Sequence, residues 1–146
     1  MSSIPDALKR KEDAPARTSQ TPVKTIAALA VEAALDKKAL NIVVMDMAGI
    51  SGVADMFVLC TGESELQVKA IADAVIDEIR DGAGEKPWHK EGYDHKNWIL
   101  LDYVDLVVHV FHPEQREFYA LERLWGDAPM EEVSSDGTAA EVKLLS

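Results

Sequence analysis

The sequence predicts an α/β fold, a single mixed β-sheet of about five strands with helices packed on it, in the order αββαβββα. Three observations predict it. Apolar residues in ESELQVKAIADAVIDEIR (63–80) recur at steps of three and four, the period of a helix with one buried face. NIVVMDM (41–47) and ADMFVLCTG (54–62) are short apolar runs bounded by glycines, as buried strands are. NWILLDY and DLVVHVF (97–103 and 105–111) are mostly apolar runs that read as two strands of a sheet interior, along which side chains alternate between the two faces. One sheet with helices laid on it accounts for all three.

Taken in order, Thr21-Pro22 opens an Ala-rich helix, VKTIAALAVEAALDKK, with Thr21 as its cap and proline at its first position. The strand 41–47 ends at a loop holding Gly49 and Gly52, and its proximity to 54–62 suggests a hairpin-like unit. In the helix 63–80, Val68, Ile71, Ala72, Val75 and Ile79 make the buried face, with Glu63 and Glu65 at its start and Arg80 at its end, as the macrodipole prefers. DGAGEKP breaks that helix, and WHKEGYDH (88–95) is a short strand or loop. After the two alternating strands, HPEQREFYALERLWG forms a last helix from Pro113 to Gly126, with Phe118, Leu121 and Trp125 on one side. Residues 1–20 and 127–146 mix Pro, Ser and charge without periodicity and are expected to be disordered tails, the second acidic, on either side of a domain at 21–126.

The composition narrows the function. A chain of 146 residues, 47% hydrophobic, suits one core. No apolar run is long enough to span a bilayer, the first twenty residues carry no apolar signal-peptide centre, and the lone Cys60 fits a reducing compartment, so a cytoplasmic protein is expected. The net charge is −11, and residues 21–125 hold 10 Lys+Arg against 18 Asp+Glu. Such a surface repels phosphate backbones, so direct nucleic-acid binding is not expected and a basic protein is the natural partner.

No catalytic constellation assembles. Cys60 in an apolar strand reads as an inert core thiol. His89, Glu91, Asp94 and His95 share a loop without a metal-ligand spacing, and His109 between Val and Phe reads as a hydrogen-bonded core histidine. Glu63 and Glu65 would repel an anion at the Gly62-Glu63-Ser64 turn. Neither a metal nor a cofactor is therefore expected. Alternation places Ile99, Leu101 and Tyr103 on the core face of their strand and Trp98, Leu100 and Asp102 on the opposite one. That second face is expected to be partly wet, with Trp98 as an anchor for a partner.

ADMFVLCTG, VKAIADAV, Glu91-Gly92, W-x-x-x-D (98–102), D-x-V-V-H-V-F (105–111) and R-x-x-Y-x-L-E-x-L-W (116–125), in this order, resemble the ribosomal silencing factor, or Iojap-like, family over roughly residues 24–127. Two departures stand out: Val104 occupies a position usually held by Gly, and Glu63-Ser64-Glu65-Leu66 replaces a Thr/Ser-rich stretch with a basic residue. The resemblance implies a domain related in fold to nucleotidyltransferases but without catalytic equipment, often a homodimer. It also implies a translational repressor, which binds ribosomal protein fourteen on the subunit-interface face of the large ribosomal subunit and sterically blocks joining of the small one. Carried onto this chain, the expected contact set is Trp98, Asp102, Tyr103 and Asp105, with Glu91 and Gly92 nearby; Leu100, on the same strand face as Trp98, is expected to join it. The alternative is a nucleotidyltransferase-like enzyme using Asp102 and Asp105 with a divalent metal.

Overall fold

The computed structural model describes residues 21–50 and 54–146. The expected tail at 1–20, and Gly52 in the loop after the first strand, lie outside these residues. Helix α1 spans Val23–Asp36, β1 Leu40–Asp46, β2 Met56–Thr61, α2 Glu65–Ala83, β3 His89–Glu91, β4 Trp98–Asp102, β5 Leu106–Phe111, α3 Pro113–Tyr119, α4 Leu121–Leu124 and β6 Met130–Glu132. Two 3-10 turns, Ala139–Glu141 and Lys143–Leu145, follow. The strands form one mixed sheet in the order β3-β4-β5-β2-β1-β6, in which β2 and β5 run parallel and every other neighbouring pair antiparallel. The α/β class and the αββαβββα order read from the sequence therefore hold, with a sixth strand added.

Burial explains the layering. Every residue of β2, β4 and β5 is buried, so neither face of the sheet's centre can meet water. On face one, Val58, Cys60, Ile99, Leu101, Val108 and Val110 pack against Ile26, Ala30 and Val31 of α1 and against the predicted stripe Val68, Ile71, Ala72, Val75 and Ile79 of α2. On face two, Phe57, Leu59, Leu100, Val107 and Phe111 pack with Leu121 and Ala128, and Ile50, Ala54 and Trp125 close the margin.

Local chemistry sets the helix ends. Ser64 caps α2 by accepting a hydrogen bond from the Gln67 amide, while the Gln67 side chain accepts one from the Glu63 amide, so one orphan donor of the first turn and the amide just before the cap are satisfied. Helix α1 starts one residue later than the sequence suggests, with Pro22 itself at the cap. The final helix is not continuous. Ala120 takes a left-handed conformation (φ 47°), which ends α3 and turns the chain into α4. Leu121 is buried as expected from the stripe, and the Phe118 side chain lies outside the described residues.

The segment 127–146 differs from the acidic tail the sequence suggests. Its strand β6 pairs antiparallel with β1 through Val43–Glu132, Val44–Glu131 and Met45–Met130, and the Val133 amide extends the ladder to the Ile42 carbonyl. Beyond it, Ala139 and Val142 are buried in the face-one core. The Ala139 amide donates to the Glu32 carboxylate of α1, and the Glu131 carboxylate accepts from the amides of Lys143 and Leu144. A three-residue strand has no readable period, and its core contribution comes from isolated small residues; neither leaves a pattern in the sequence.

If this segment is part of the fold, Val142→Asp destabilises the protein by about 2–4 kcal/mol in urea denaturation, because it buries an unpaired carboxylate. A shift within about 0.5 kcal/mol, typical of exposed positions, would return the segment to a tail.

Candidate partner-binding surface

The expected contact residues sit on β4, the β4–β5 turn and the end of β3, and the structure divides them. The alternation is as read: Ile99, Leu101 and Tyr103 belong to the face-one core, Trp98 and Leu100 to face two. Face two, however, is not partly wet. Trp98 is only 8% exposed, Leu100 1% and Asp102 0%. The chain's own α4 and the residues that follow it cover this face, so the indole is a core group and not an exposed anchor.

Trp98 is placed by chemistry as well as by packing. Its Nε1–H donates to Nδ1 of His109 at 3.2 Å. An indole nitrogen only donates, so Nδ1 accepts and the ring proton sits on Nε2. The imidazole lies parallel to the Phe111 ring (centroids 6.0 Å, 14°), Phe57 meets it edge-on at 4.7 Å, and Trp125 meets Phe57 edge-on at 5.3 Å. His109 is thus a core histidine holding an aromatic cluster together.

Asp102 also works inward. Its Oδ1 accepts the Val104 amide at 2.8 Å, bracing the turn between β4 and β5. In that turn the Asp105 amide donates to the Tyr103 carbonyl at 2.9 Å, and Val104 has φ +75°. This is a γ-turn centred on a β-branched residue in the left-handed region, a strained arrangement. The turn is locked from behind: the Asp105 carbonyl accepts from the amides of Asp55 and Met56 at the start of β2. Tyr103 is buried on face one; burial, then the nearby Glu85 carboxylate, pushes its phenol above the ordinary value. Asp105 is half-exposed. Among the described residues, no group of three His, Cys, Asp or Glu could hold a metal ion.

At the sheet's edge, β3 pairs Glu91 with Leu100 and His89 with Asp102. The half-exposed Glu91 carboxylate is 2.9 Å from Nε2 of His89. Gly92 has a structural duty: its φ is +93°, and a Cβ there would stand 1.9 Å from the Trp98 carbonyl oxygen, so only glycine lets the chain pass the start of β4. Sequence reasoning missed Trp88, an indole 43% exposed beside this edge. Its one signal is an aromatic directly after Pro87, at the mouth of a strand too short to bury it.

The remaining family-matched positions support the frame. Arg116 shares its Nε–H between both carboxylate oxygens of Glu122, donates from Nη2 to one of them and from Nη1 to the Thr61 hydroxyl, tying α3 to α4 and to the end of β2. Partial burial pushes the Glu122 carboxyl up, but Arg116's hydrogen bonds and charge outweigh it and hold the group below the usual range. Burial pushes the Cys60 thiol up to about 12, as for an inert core cysteine.

Two substitutions test these assignments by urea denaturation. Trp98→Phe keeps a ring but removes the bond to His109 and is expected to cost about 1–2 kcal/mol, against about 3–5 kcal/mol for Trp98→Ala; losses under about 0.5 kcal/mol in both would mean the indole is at the surface after all. Val104→Gly relieves the left-handed strain and is expected to stabilise by roughly 1 kcal/mol, whereas destabilisation would show that the valine is bound into the fold.

Comparison with known proteins agrees with this geometry. The family model described as "Ribosomal silencing factor during starvation" matches residues 19–143, across the C-terminal segment as well. The ribosomal silencing factor RsfS of Bacillus subtilis is 48% identical over 107 residues, 73% of this chain and 90% of that protein. The chloroplastic protein Iojap of Zea mays is 37% identical over 108 residues, 72% of this chain and 45% of that longer protein. Among solved structures, a Chromobacterium violaceum protein superposes with a TM-score of 0.70 at 32% identity, covering 83% of this chain and 98% of its own. The chain belongs to the ribosomal silencing factor family.

Proposed function

We propose that this protein represses translation by binding the large ribosomal subunit and blocking the small one from joining it. The observation that carries the reading is the family match over residues 19–143, with 48% identity across nine-tenths of a bacterial silencing factor. The expected site on the ribosome is a basic protein of the subunit-interface face, ribosomal protein fourteen in what the resemblance implies. A net charge of −11 suits such a partner: it steers the two together and disfavours binding to bare rRNA. The setting is the cytoplasm, and the factor is expected to act as a homodimer.

No chemistry is needed. A bound body that occupies the joining face competes by volume, and mass action sets the effect. With the factor at about 100 times its Kd, joining is penalised by roughly 2.7 kcal/mol, about a hundredfold. The contact set is narrower than the sequence suggests. Trp98, Leu100, Asp102 and Tyr103 shape the scaffold from inside, while Glu91, Gly92 and Asp105 remain at least partly open to a partner.

Added to purified subunits, the protein is expected to co-sediment with the large subunit and to reduce the associated-ribosome peak, with weaker binding at higher salt as charged contacts are screened. Unchanged subunit joining at saturating protein would overturn the reading.

A further inference from the structure

The segment after β5 is at odds with its own sequence. From Glu114 to Trp125 it holds no glycine or proline, and Glu, Gln, Arg, Ala and Leu, all good helix formers, make up most of it. The chain nevertheless leaves the helix at Ala120 (φ 47°, ψ 56°), which puts the residue type of highest helix propensity in the left-handed region. Contacts to other parts of the molecule must offset that cost.

Those contacts need the break. Arg116 and Glu122 meet at 2.7 Å, but in a continuous helix they would stand about 9 Å apart along the axis, beyond the i+3 and i+4 positions that neighbour each other. Arg116 also donates to the Thr61 hydroxyl at 2.9 Å, and alternation along β2 puts Thr61 on face two with Phe57 and Leu59. Leu121 is buried on that same face, and Trp125 meets Phe57 edge-on at 5.3 Å. One straight helix would point residues 116 and 121 about 140° apart. It could not hold Thr61 with one and cover face two with the other.

We propose that residues 113–126 form a two-state lid over face two. In the closed state, the one described above, the break at Ala120 lets α4 lie on the sheet. In the open state the segment is one helix, the Arg116–Glu122 pair is parted, and Leu121 and Trp125 are lifted from the core beside Phe57. Local helix preference favours opening, while the ion pair and the burial of Leu121 and Trp125 hold the lid shut, so the two packings of one sequence compete. The inference is independent of the proposed function: it concerns what uncovers face two, whichever body the protein binds.

The test measures thiol labelling without denaturant, each rate corrected for that thiol's reactivity in the unfolded chain. Val107→Cys introduces a thiol beside Phe57 on face two, and the native Cys60, buried on face one, reports opening of the whole fold. The thiol at 107 is expected to label at least about tenfold faster than Cys60, because the lid opens without the sheet. Adding Ala120→Gly removes the left-handed cost and weakens the straight helix. It is expected to slow labelling at 107 about 30-fold, but at Cys60 only about fivefold. Adding Glu122→Gln weakens a pair that only the closed state contains and should speed labelling at 107 about tenfold. Equal rates for the two thiols would overturn the lid, since face two would then open only with the whole fold. Equal slowing of both by Ala120→Gly would overturn the straight helix as the open state. An unchanged rate with Glu122→Gln would overturn the ion pair as its latch.

Discussion

The double burial of the central strands governs the rest of this molecule. With every residue of β2, β4 and β5 removed from water, both sheet faces must be covered, and the chain supplies a cover for each. Helices α1 and α2 take face one. Helix α4 and the turn after it take face two, tied to α3 and the end of β2 by Arg116 through Glu122 and Thr61. A sheet enclosed in this way can offer a partner only its strand ends, its edges and the outer sides of its helices.

That constraint reassigns the polar and aromatic residues of β4 and β5. In an apolar cover a tryptophan must satisfy its ring nitrogen internally, and the bond from Trp98 to His109 does so. Asp102 is spent on the Val104 amide, holding a turn that the backbone alone would not favour. Residues that look like a binding face in one dimension thus become the supports of a turn in three. The turn they support lies between β4 and β5, beside the start of β2.

Much of this was legible in the sequence. Short apolar runs and a period-3.6 pattern located the strands and helices, and alternation along the strand sorted Ile99, Leu101 and Tyr103 from Trp98 and Leu100 correctly. Which face would be covered was not legible. Alternation separates two faces but says nothing of what packs on either, and the cover of face two comes from a helix broken at Ala120, for which no glycine or proline gives notice. Strand β6 escaped for a related reason: its place is set by backbone pairing to β1, which leaves no mark in side-chain pattern. At Val104 the departure from the family's usual glycine did carry information, since the turn keeps a positive φ despite the valine.

Hydrogen exchange of the protein alone and bound to large subunits addresses the central claim most directly, because it reads the covered surface amide by amide. The account predicts new protection at Glu91–Gly92 and Asp105, the proposed contact residues that stay partly open. It also predicts that Ile99–Leu101, already slow to exchange in the free protein, stay unchanged. Fast exchange of Ile99–Leu101 in the free protein, slowed only on binding, would place the partner on face two and contradict it.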